Sequence, residues 1–218
     1  MTPQEIIQRR VALELRPNSL VNLGIGLPTG VTNFISPEAG ILFQSENGIV
    51  GMGARPPEGM EDDDLVDAGG SFTAAVPGAA TVDSATSFGL IRGGHLDVTV
   101  LGGLQVDEAG HLANWVVPGK MTPGMGGAMD LVTSAQRVII AMQHTAKGSP
   151  KIVPTCTLPL TSTRRVSIII TDMAVMEPTD DGLVLRERAP GVSVDAIVAA
   201  TSAKLKINGD VPEMKIGA

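Results

Sequence analysis

Short apolar runs separated by more polar segments make up most of the chain. The runs are rich in Val, Leu and Ile and are bounded by turn residues, which is the pattern of buried strands in a parallel sheet. We predict such strands at 20–25, 41–44, 97–104, 137–142 and 166–170.

Helix signals occupy several of the intervening segments. Residues 2–5 combine a capping box with proline in the first turn, and the apolar spacing after them predicts a helix that ends near Pro17. A second helix is predicted over 28–35. Ser193 is a suitable N-cap for a last helix over 194–205.

The alternation of these elements predicts an α/β fold with a single open, mainly parallel sheet and flanking helices. A chain of 218 residues with 43% hydrophobic residues suits one domain over 1–218. We expect a flexible tail from about 206, beyond the last helical pattern.

Charge and composition narrow the classes of function. The net charge is -7 and no Lys/Arg cluster occurs, which argues against a nucleic-acid partner. No basic leader with an apolar run and no long uncharged apolar stretch is present, so we expect a cytoplasmic protein without a membrane span. Cys156 is the single cysteine, and the three histidines are widely spaced, so we expect neither a disulfide nor a metal.

Glu46 is the first candidate for chemistry, because it comes just after the predicted strand at 41–44. Open α/β sheets bind ligands at the carboxyl ends of their strands, where such a residue lies. Ser45 and Asn47 are able to orient a carboxylate by hydrogen bonds, and Gly48 allows close approach to the backbone. By spacing alone, an exposed loop glutamate remains the commoner explanation.

The segment around Glu46 resembles, position for position, the glutamate signature of family I coenzyme A transferases. It reads Phe43-Gln44-Ser45-Glu46-Asn47-Gly48-Ile49-Val50-Gly51. The similarity extends to 22–26, 91–95 and 114–130, and the chain resembles the B, or β, subunit of a 3-oxoacid coenzyme A transferase. It implies the transferase-like fold, which sugar-phosphate isomerases and deaminases share.

The resemblance implies a role for Glu46. The glutamate of the signature attacks an acyl-CoA such as succinyl-CoA, forms an anhydride and then a glutamyl-CoA thioester, and passes CoA to a 3-oxo acid or short carboxylate. A carboxylate with a reference pKa of about 4.3 is ionised at neutral pH and needs no general base. Coenzyme A is thus expected as co-substrate and covalent thioester, with no permanently bound cofactor.

The resemblance also assigns supporting residues. Asn22 takes the place of an active-site amide that contacts the glutamate or the substrate, and Gly127 is the best oxyanion donor. The coenzyme A contacts are expected from the signature turn and the glycine loop, at Asn47, Gly48, Gly124, Met125, Gly126 and Gly127. Gly-rich turns are more often plain turns, so this assignment depends on the resemblance.

One position departs from the family pattern. Many members carry Lys where this chain has Gly70, so a cationic contact from that position is absent here. Arg92 and Lys120 are the candidates to compensate. For the rest of 54–70, which is rich in Pro, Gly and acidic residues, we predict a solvated loop without a role.

The sequence also bears on the partner subunit and on the substrate. The Gly-Gly-Phe signature of the family's A, or α, subunit is missing, so we expect an A partner in an α2β2 or larger assembly. Acetoacetate, 3-oxoadipate and short fatty acids are the candidate acids. The alternatives are a sugar-phosphate isomerase or deaminase, for which fold alone would not decide, and a noncatalytic acyl-CoA sensor or structural subunit.

Overall fold

The computed structural model describes residues 1–119 and 124–217. The helices in these ranges are α1 (Pro3–Ala12), α2 (Ser84–Arg92), α3 (Ala128–Ser134) and α4 (Val194–Ala200), with 3-10 helices at Leu27–Phe34 and Pro37–Ala39. The strands of the first half are β1 (Leu20–Leu23), β2 (Leu42–Ser45), β3 (Ile49–Met52), β4 (Ala75–Thr81), β5 (Val98–Leu101), β6 (Gln105–Asp107) and β7 (Leu112–Ala113). Those of the second half are β8 (Arg137–Ala141), β9 (Thr145–Ala146), β10 (Ser149–Pro150), β11 (Ile152–Val153), β12 (Ile168–Ile170), β13 (Ala174–Thr179), β14 (Gly182–Arg188) and β15 (Leu205–Lys206).

One mixed sheet organises the fold, in the strand order β15-β14-β13-β12-β8-β5-β1-β2-β3-β4. Its five central strands, from β12 to β2, run parallel, and antiparallel strands extend it on both sides. With β14 and β15 also parallel, the predicted α/β fold with a mainly parallel sheet is confirmed. The antiparallel margins were not predicted. Two smaller sheets have the orders β11-β6-β7 and β10-β9.

Two apolar cores cover the two faces of the large sheet. The alternation along β8 shows this division, because Val138 and Ile140 belong to one core whereas Ile139 belongs to the other. Helix α1 packs on the Ile139 side, and α2, α3 and α4 contribute to the opposite side. The central strands are therefore buried on both faces, which explains their continuous apolar sequences.

The predicted helix starts are confirmed, but two helices end earlier than predicted and one segment is a different type of helix. Thr2 and Glu5 form the expected capping box, yet α1 ends at Ala12, ahead of Pro17. The 28–35 segment is a 3-10 helix. Ser193 caps α4, which ends at Ala200 because Thr201 turns to extended backbone while its hydroxyl donates to the carbonyl of Ile197 (2.7 Å).

The segment after β15 packs against the rest of the chain. Val211, Met214 and Ile216 are buried, and Arg188 of β14 exchanges backbone hydrogen bonds with Pro212 and Met214. This packing speaks against the flexible tail predicted from about 206. Within the described ranges, no helix has the length and apolarity needed to span a bilayer.

Candidate active site

A cavity of about 640 Å³ opens at the carboxyl ends of the central strands. Parallel strands place their carboxyl ends at one sheet edge, where α/β proteins bind ligands. Its lining comes from β1 and the turn after it, from Glu46, from the segments that follow β5 and β7, and from the glycine loop before α3. The lining residues are Asn22–Ile25, Glu46, Ala68, Gly69, Leu101–Leu104, Asn114, Trp115, Gly124–Ala128 and Leu131.

Glu46 is the first residue beyond β2, as the apolar run before it predicted. Its side chain is half-buried and reaches the glycine loop, where Oε1 accepts a hydrogen bond from the backbone nitrogen of Gly127 (3.0 Å). Strand β2 thus fixes the starting point of the side chain, and α3 fixes its end, because Gly127 is the N-cap residue of that helix.

The glycine loop approaches the carboxylate so closely that a side chain at 127 would displace it. A Cβ atom on Gly127 would lie 2.6 Å from Oε2 and 2.9 Å from Cδ of Glu46. One on Gly126 would lie 3.3 Å from Oε1, and this residue also has a φ of 54°. A side chain at 127 would therefore displace the Glu46 carboxylate from its present position, a consequence that the sequence pattern did not reveal.

The neighbours of Glu46 hold a loop rather than the carboxylate. Ser45 Oγ accepts a hydrogen bond from the nitrogen of Ala68 (2.9 Å), and Asn47 Nδ2 donates to the carbonyl of Val66 (2.7 Å). The expectation that both side chains orient Glu46 is therefore wrong. Their bonds bring Ala68 and Gly69 to the cavity wall, so the loop predicted to have no role contributes to the candidate site.

The six positions predicted to contact coenzyme A divide into two groups. Gly124, Met125, Gly126 and Gly127 line the cavity, whereas Asn47 and Gly48 lie outside its lining. Gly48 has a φ of 123°, and a Cβ there would lie 2.1 Å from the carbonyl oxygen of Val82, so the fold itself requires glycine at this position. Binding of coenzyme A at all six positions stays a prediction.

Asn22 lines the cavity, yet its side chain does not bond to the Glu46 carboxylate. Its Nδ2 donates to Oε1 of Gln44 (2.7 Å), and its Oδ1 accepts from the hydroxyl of Thr99 (3.1 Å). The strand register explains this arrangement, because Asn22 of β1 pairs with Gln44 of β2 and with Thr99 of β5. A contact between Asn22 and a substrate in the cavity stays a prediction.

Asn114 and Trp115 were missed as part of the site. Asn114 is held by both ends of its amide, since Nδ2 donates to the carbonyl of Gly102 (3.1 Å) and Oδ1 accepts from the hydroxyl of Thr161 (2.6 Å). Trp115 lines the cavity and donates its indole N–H to the carbonyl of Leu160 (3.3 Å). Only the family resemblance of 114–130 pointed to this region.

Gly70 supplies no cationic side chain where many family members have lysine. This residue is exposed with a φ of 77°, and a Cβ there would meet nothing within 4 Å. Arg92 lies outside the cavity lining and is engaged elsewhere, because its Nε donates to Asp130 (2.8 Å) and its guanidinium lies over Phe88. Lys120 is outside the described residues. Compensation for the missing lysine therefore stays a prediction.

The histidines and the cysteine lie away from the cavity lining. Burial lowers the pKa of His144 to about 4, and the charge of Lys151 acts in the same direction. Burial likewise raises the pKa of the Cys156 thiol to about 12, so the thiol is protonated at neutral pH. Among the described residues, no group of His, Cys, Asp and Glu is arranged to hold a metal ion.

Comparison with known proteins finds similarity to coenzyme A transferases. The family profile described as Coenzyme A transferase matches residues 4–200. The β subunit of the acetate CoA-transferase of Haemophilus influenzae is 52% identical over 217 residues, which are 99% of this chain and 97% of that protein. The B subunit of the succinyl-CoA:3-ketoacid coenzyme A transferase of Helicobacter pylori (strain 26695) is 48% identical, over 94% of this chain and 99% of that one.

A solved structure supports the same fold. The acyl-CoA transferase YdiF of Escherichia coli O157:H7 superposes with a TM-score of 0.79 over 99% of this chain, at 22% sequence identity. This chain spans 44% of the YdiF chain, so the similarity covers less than half of that longer protein. At this identity the likeness establishes the arrangement of strands and helices, whereas the chemistry has to be argued from the site.

Proposed function

Because the chain belongs to the coenzyme A transferase family, we propose that Glu46 is the nucleophile that carries CoA between two carboxylic acids. The observation that supports this role is the position of the carboxylate, which faces a cavity of about 640 Å³ and is held by the Gly127 N–H. An ionised carboxylate attacks a thioester without a separate base, and no other carboxylate is among the lining residues described.

The first half-reaction joins the acyl group to Glu46. A Glu46 oxygen attacks the thioester carbonyl of acyl-CoA, the carbon–sulfur bond breaks, and the CoA thiolate leaves an acyl-glutamyl anhydride. The thiolate then attacks the side-chain carbonyl of Glu46, and the first carboxylate departs. Glutamyl-CoA remains, and the acceptor carboxylate collects CoA by the same two steps in reverse.

Gly127 is suited to the second of these attacks. When the thiolate adds to the side-chain carbonyl, negative charge develops on an oxygen of Glu46 itself. The Gly127 nitrogen is 3.0 Å from Oε1, within the range at which a backbone N–H stabilises a developing oxyanion. We therefore propose that the Gly127 N–H stabilises the oxyanion that forms on Glu46. Other donors of the assembled site stabilise the oxyanion that forms on the substrate.

The substrates are proposed from the relatives. The Haemophilus relative, at 52% identity, is named for acetate, and the Helicobacter relative, at 48%, for succinyl-CoA and a 3-ketoacid. We propose transfer between an acyl-CoA and a short carboxylate, with acetate and a 3-oxo acid as the first acceptors to test. A small apolar pocket discriminates one methylene by only about 1–3 kcal/mol, so several acids are expected to react.

A partner subunit is the remaining part of the proposal. Both relatives are named as a β or B subunit, and the cavity lies at the open edge of the sheet. We propose that an A subunit covers the cavity and excludes water, which would otherwise hydrolyse the anhydride and the thioester. The isolated chain is then expected to show little transferase turnover.

Trapping of the covalent intermediate tests this function. The chain is assembled with its A subunit, incubated with acetoacetyl-CoA or acetyl-CoA, treated with borohydride and mapped by mass spectrometry. We expect reduction at Glu46 that depends on the acyl-CoA. The variants Glu46→Gln and Glu46→Ala should lose both adduct and turnover, whereas Glu38→Gln, which changes an exposed carboxylate, should retain both.

Each outcome has a clear meaning. An adduct at Glu46 with turnover supports the nucleophile role and leaves only substrate preference to measure. Full turnover in Glu46→Ala, or an active wild-type complex modified at a different residue, would exclude Glu46 from this role. Binding of acyl-CoA without turnover in any combination of acceptors would favour a noncatalytic acyl-CoA-binding subunit.

A further inference from the structure

A row of buried polar side chains connects three neighbouring strands beside the cavity. Asn22 of β1 lies between Gln44 of β2 and Thr99 of β5 in the strand register. These side chains are at most 2% exposed, and the sheet is apolar around them. Polar groups are costly to bury, so a row of this kind needs a complete set of hydrogen bonds.

The row continues through Ser87 to the backbone of Glu46. Gln44 Nε2 donates to Ser87 Oγ (3.0 Å), and Ser87 Oγ donates to the carbonyl oxygen of Glu46 (2.8 Å). Ser87 is fully buried in α2. A chain of hydrogen bonds therefore runs from Thr99 through Asn22, Gln44 and Ser87 to Glu46.

The carbonyl at one end fixes the direction of every bond in this chain. A carbonyl oxygen only accepts, so Ser87 donates to Glu46 and must accept from the amide nitrogen of Gln44. The oxygen of Gln44 then faces Asn22 and accepts from its amide nitrogen, which turns the Asn22 oxygen towards the hydroxyl of Thr99. The orientation of both amides follows from this chemistry, and successive bonds in one direction strengthen each other.

We propose that Gln44, Ser87 and Thr99 are positioning residues that hold the Glu46 peptide, and through it the carboxylate, against Gly127. This inference rests on the proposed role of Glu46 as nucleophile. The carboxylate is held by Gly127 at its tip, and the Ser87 hydroxyl holds the carbonyl at its base. Without the Ser87 hydroxyl this carbonyl loses its hydrogen bond, and a displacement of about 1 Å is enough to slow a reaction a hundredfold.

Ser87→Ala is the direct test, with Ser19→Ala as the matched control. Ser19 is also buried and also donates its hydroxyl to a backbone carbonyl, that of Arg16 (2.7 Å), but it lies outside the cavity lining. In the complex with the A subunit, Ser87→Ala should lower kcat about tenfold to a hundredfold and change KM for acyl-CoA less than about threefold. Ser19→Ala should leave both constants within about twofold of wild type.

Three further measurements separate positioning from simple loss of stability. The rate of adduct formation at Glu46, followed by rapid quench, should fall with kcat in Ser87→Ala. Ser87→Thr keeps the hydroxyl and should recover most of the rate. The effects of Ser87→Ala and Gln44→Met should not add in the double variant, because both break the same chain of bonds.

Thr99, at the other end of the row of hydrogen bonds, provides a second test if Ser87→Ala does not fold. Thr99→Val has nearly the same shape and removes only the hydroxyl, and we expect it to lower kcat about twofold to fivefold with unchanged KM. Wild-type kcat in a folded Ser87→Ala, or in Thr99→Val when the former is unfolded, would overturn the inference. Absence of any Glu46 adduct in an active wild-type complex would instead refute the nucleophile role, so the two failures are distinguishable.

Discussion

The amide nitrogen of Gly127 lies 3.0 Å from Oε1 of Glu46, although 81 positions separate the two residues along the chain. The contact joins the end of a central strand to the start of α3. The present position of the carboxylate depends on the lack of a side chain at residue 127, since the nearest carboxylate oxygen would lie 2.6 Å from a Cβ. The position of the candidate nucleophile is thus set by a backbone group.

Replacement of this glycine should impair the reaction more than the fold. In Gly127→Ala the added methyl group displaces the carboxylate and lengthens its hydrogen bond to the N–H. Loss of one oxyanion donor costs about a hundredfold to a thousandfold in kcat, and we expect an effect of this size. The measurement is steady-state turnover of the complex together with thermal unfolding.

A second glycine serves as the control for this variant. Gly89 lies in α2, and a Cβ there would meet nothing within 4 Å. Gly89→Ala should keep wild-type kcat and raise stability by about 0.5–1 kcal/mol, because alanine favours the helix. Equal activity of Gly127→Ala and Gly89→Ala would show that the contact with Glu46 has no catalytic weight.

Arg10 anchors α1 to the sheet by a buried ion pair. Its side chain is 9% exposed and bonds to both carboxylate oxygens of Glu187 (2.7 and 2.8 Å) and to Glu14 (2.7 Å). Arg10→Ala leaves Glu187 without its partner, whereas Glu14 keeps its ion pair with Arg137, so the free energy of unfolding should fall by about 3 kcal/mol. Denaturant unfolding measures this loss.

The exposed pair of Arg186 and Glu177 is the control for Arg10. Both side chains are more than 40% exposed and lie 2.6 Å apart. Arg186→Ala should cost less than about 1 kcal/mol, because water already solvates both charges. If the two variants lose the same stability, burial does not strengthen the Arg10 pairs.

His144 should make stability depend on pH. It is fully buried, and its ring nitrogens lie 2.9 Å from the hydroxyl of Thr171 and 2.8 Å from that of Thr201. Burial lowers its folded pKa from 6.5 to about 4, Lys151 adds to this shift, and Asp172 opposes it. Between these pH values the unfolded chain binds a proton that the folded chain does not, so stability falls as pH falls from 6.5 towards 4, by a total on the order of 3 kcal/mol.

Unfolding curves between pH 7 and pH 4.5 test this dependence. His144→Gln keeps groups that hydrogen-bond to hydroxyls but does not titrate, so its stability should fall less steeply with acid than that of wild type. His95→Gln changes an exposed histidine and should retain the wild-type slope. An unchanged slope in His144→Gln would mean that other groups cause the acid sensitivity.

The sequence predicted the elements that depend on local signals. The capping box at Thr2 and the N-cap at Ser193 are each formed by residues within three positions, and the apolar run before Glu46 marks a strand that is buried over 43–45. These signals placed Glu46 at the carboxyl edge of the sheet. The antiparallel margins depend on pairing that no local pattern encodes.

The construction of the site depends on distant contacts and was predicted only in part. The bonds of Ser87 to Gln44 and to the Glu46 carbonyl cross 43 and 41 positions, and the Ser45 hydroxyl holds a loop 23 positions away. A buried serine in a helix and a polar residue in a strand carry no mark of such partners. The family resemblance predicted Glu46 and the glycine loop as site residues, whereas the residues that hold them follow only from the packing.

The chain end provides the last test, because the sequence predicted flexibility there. Met214 and Ile216 are buried in the same core as α1, whereas Ile207 is 42% exposed. Met214→Ala should cost about 2–5 kcal/mol and Ile216→Ala a similar amount, as for other core truncations, whereas Ile207→Ala should change stability by less than about 0.5 kcal/mol. If the segment after 206 were flexible, all three variants would unfold at the same denaturant concentration as the wild type. The Met214 amide donates to the Arg188 carbonyl (2.9 Å). In a flexible segment, its hydrogen exchange would be as fast as in an unfolded chain.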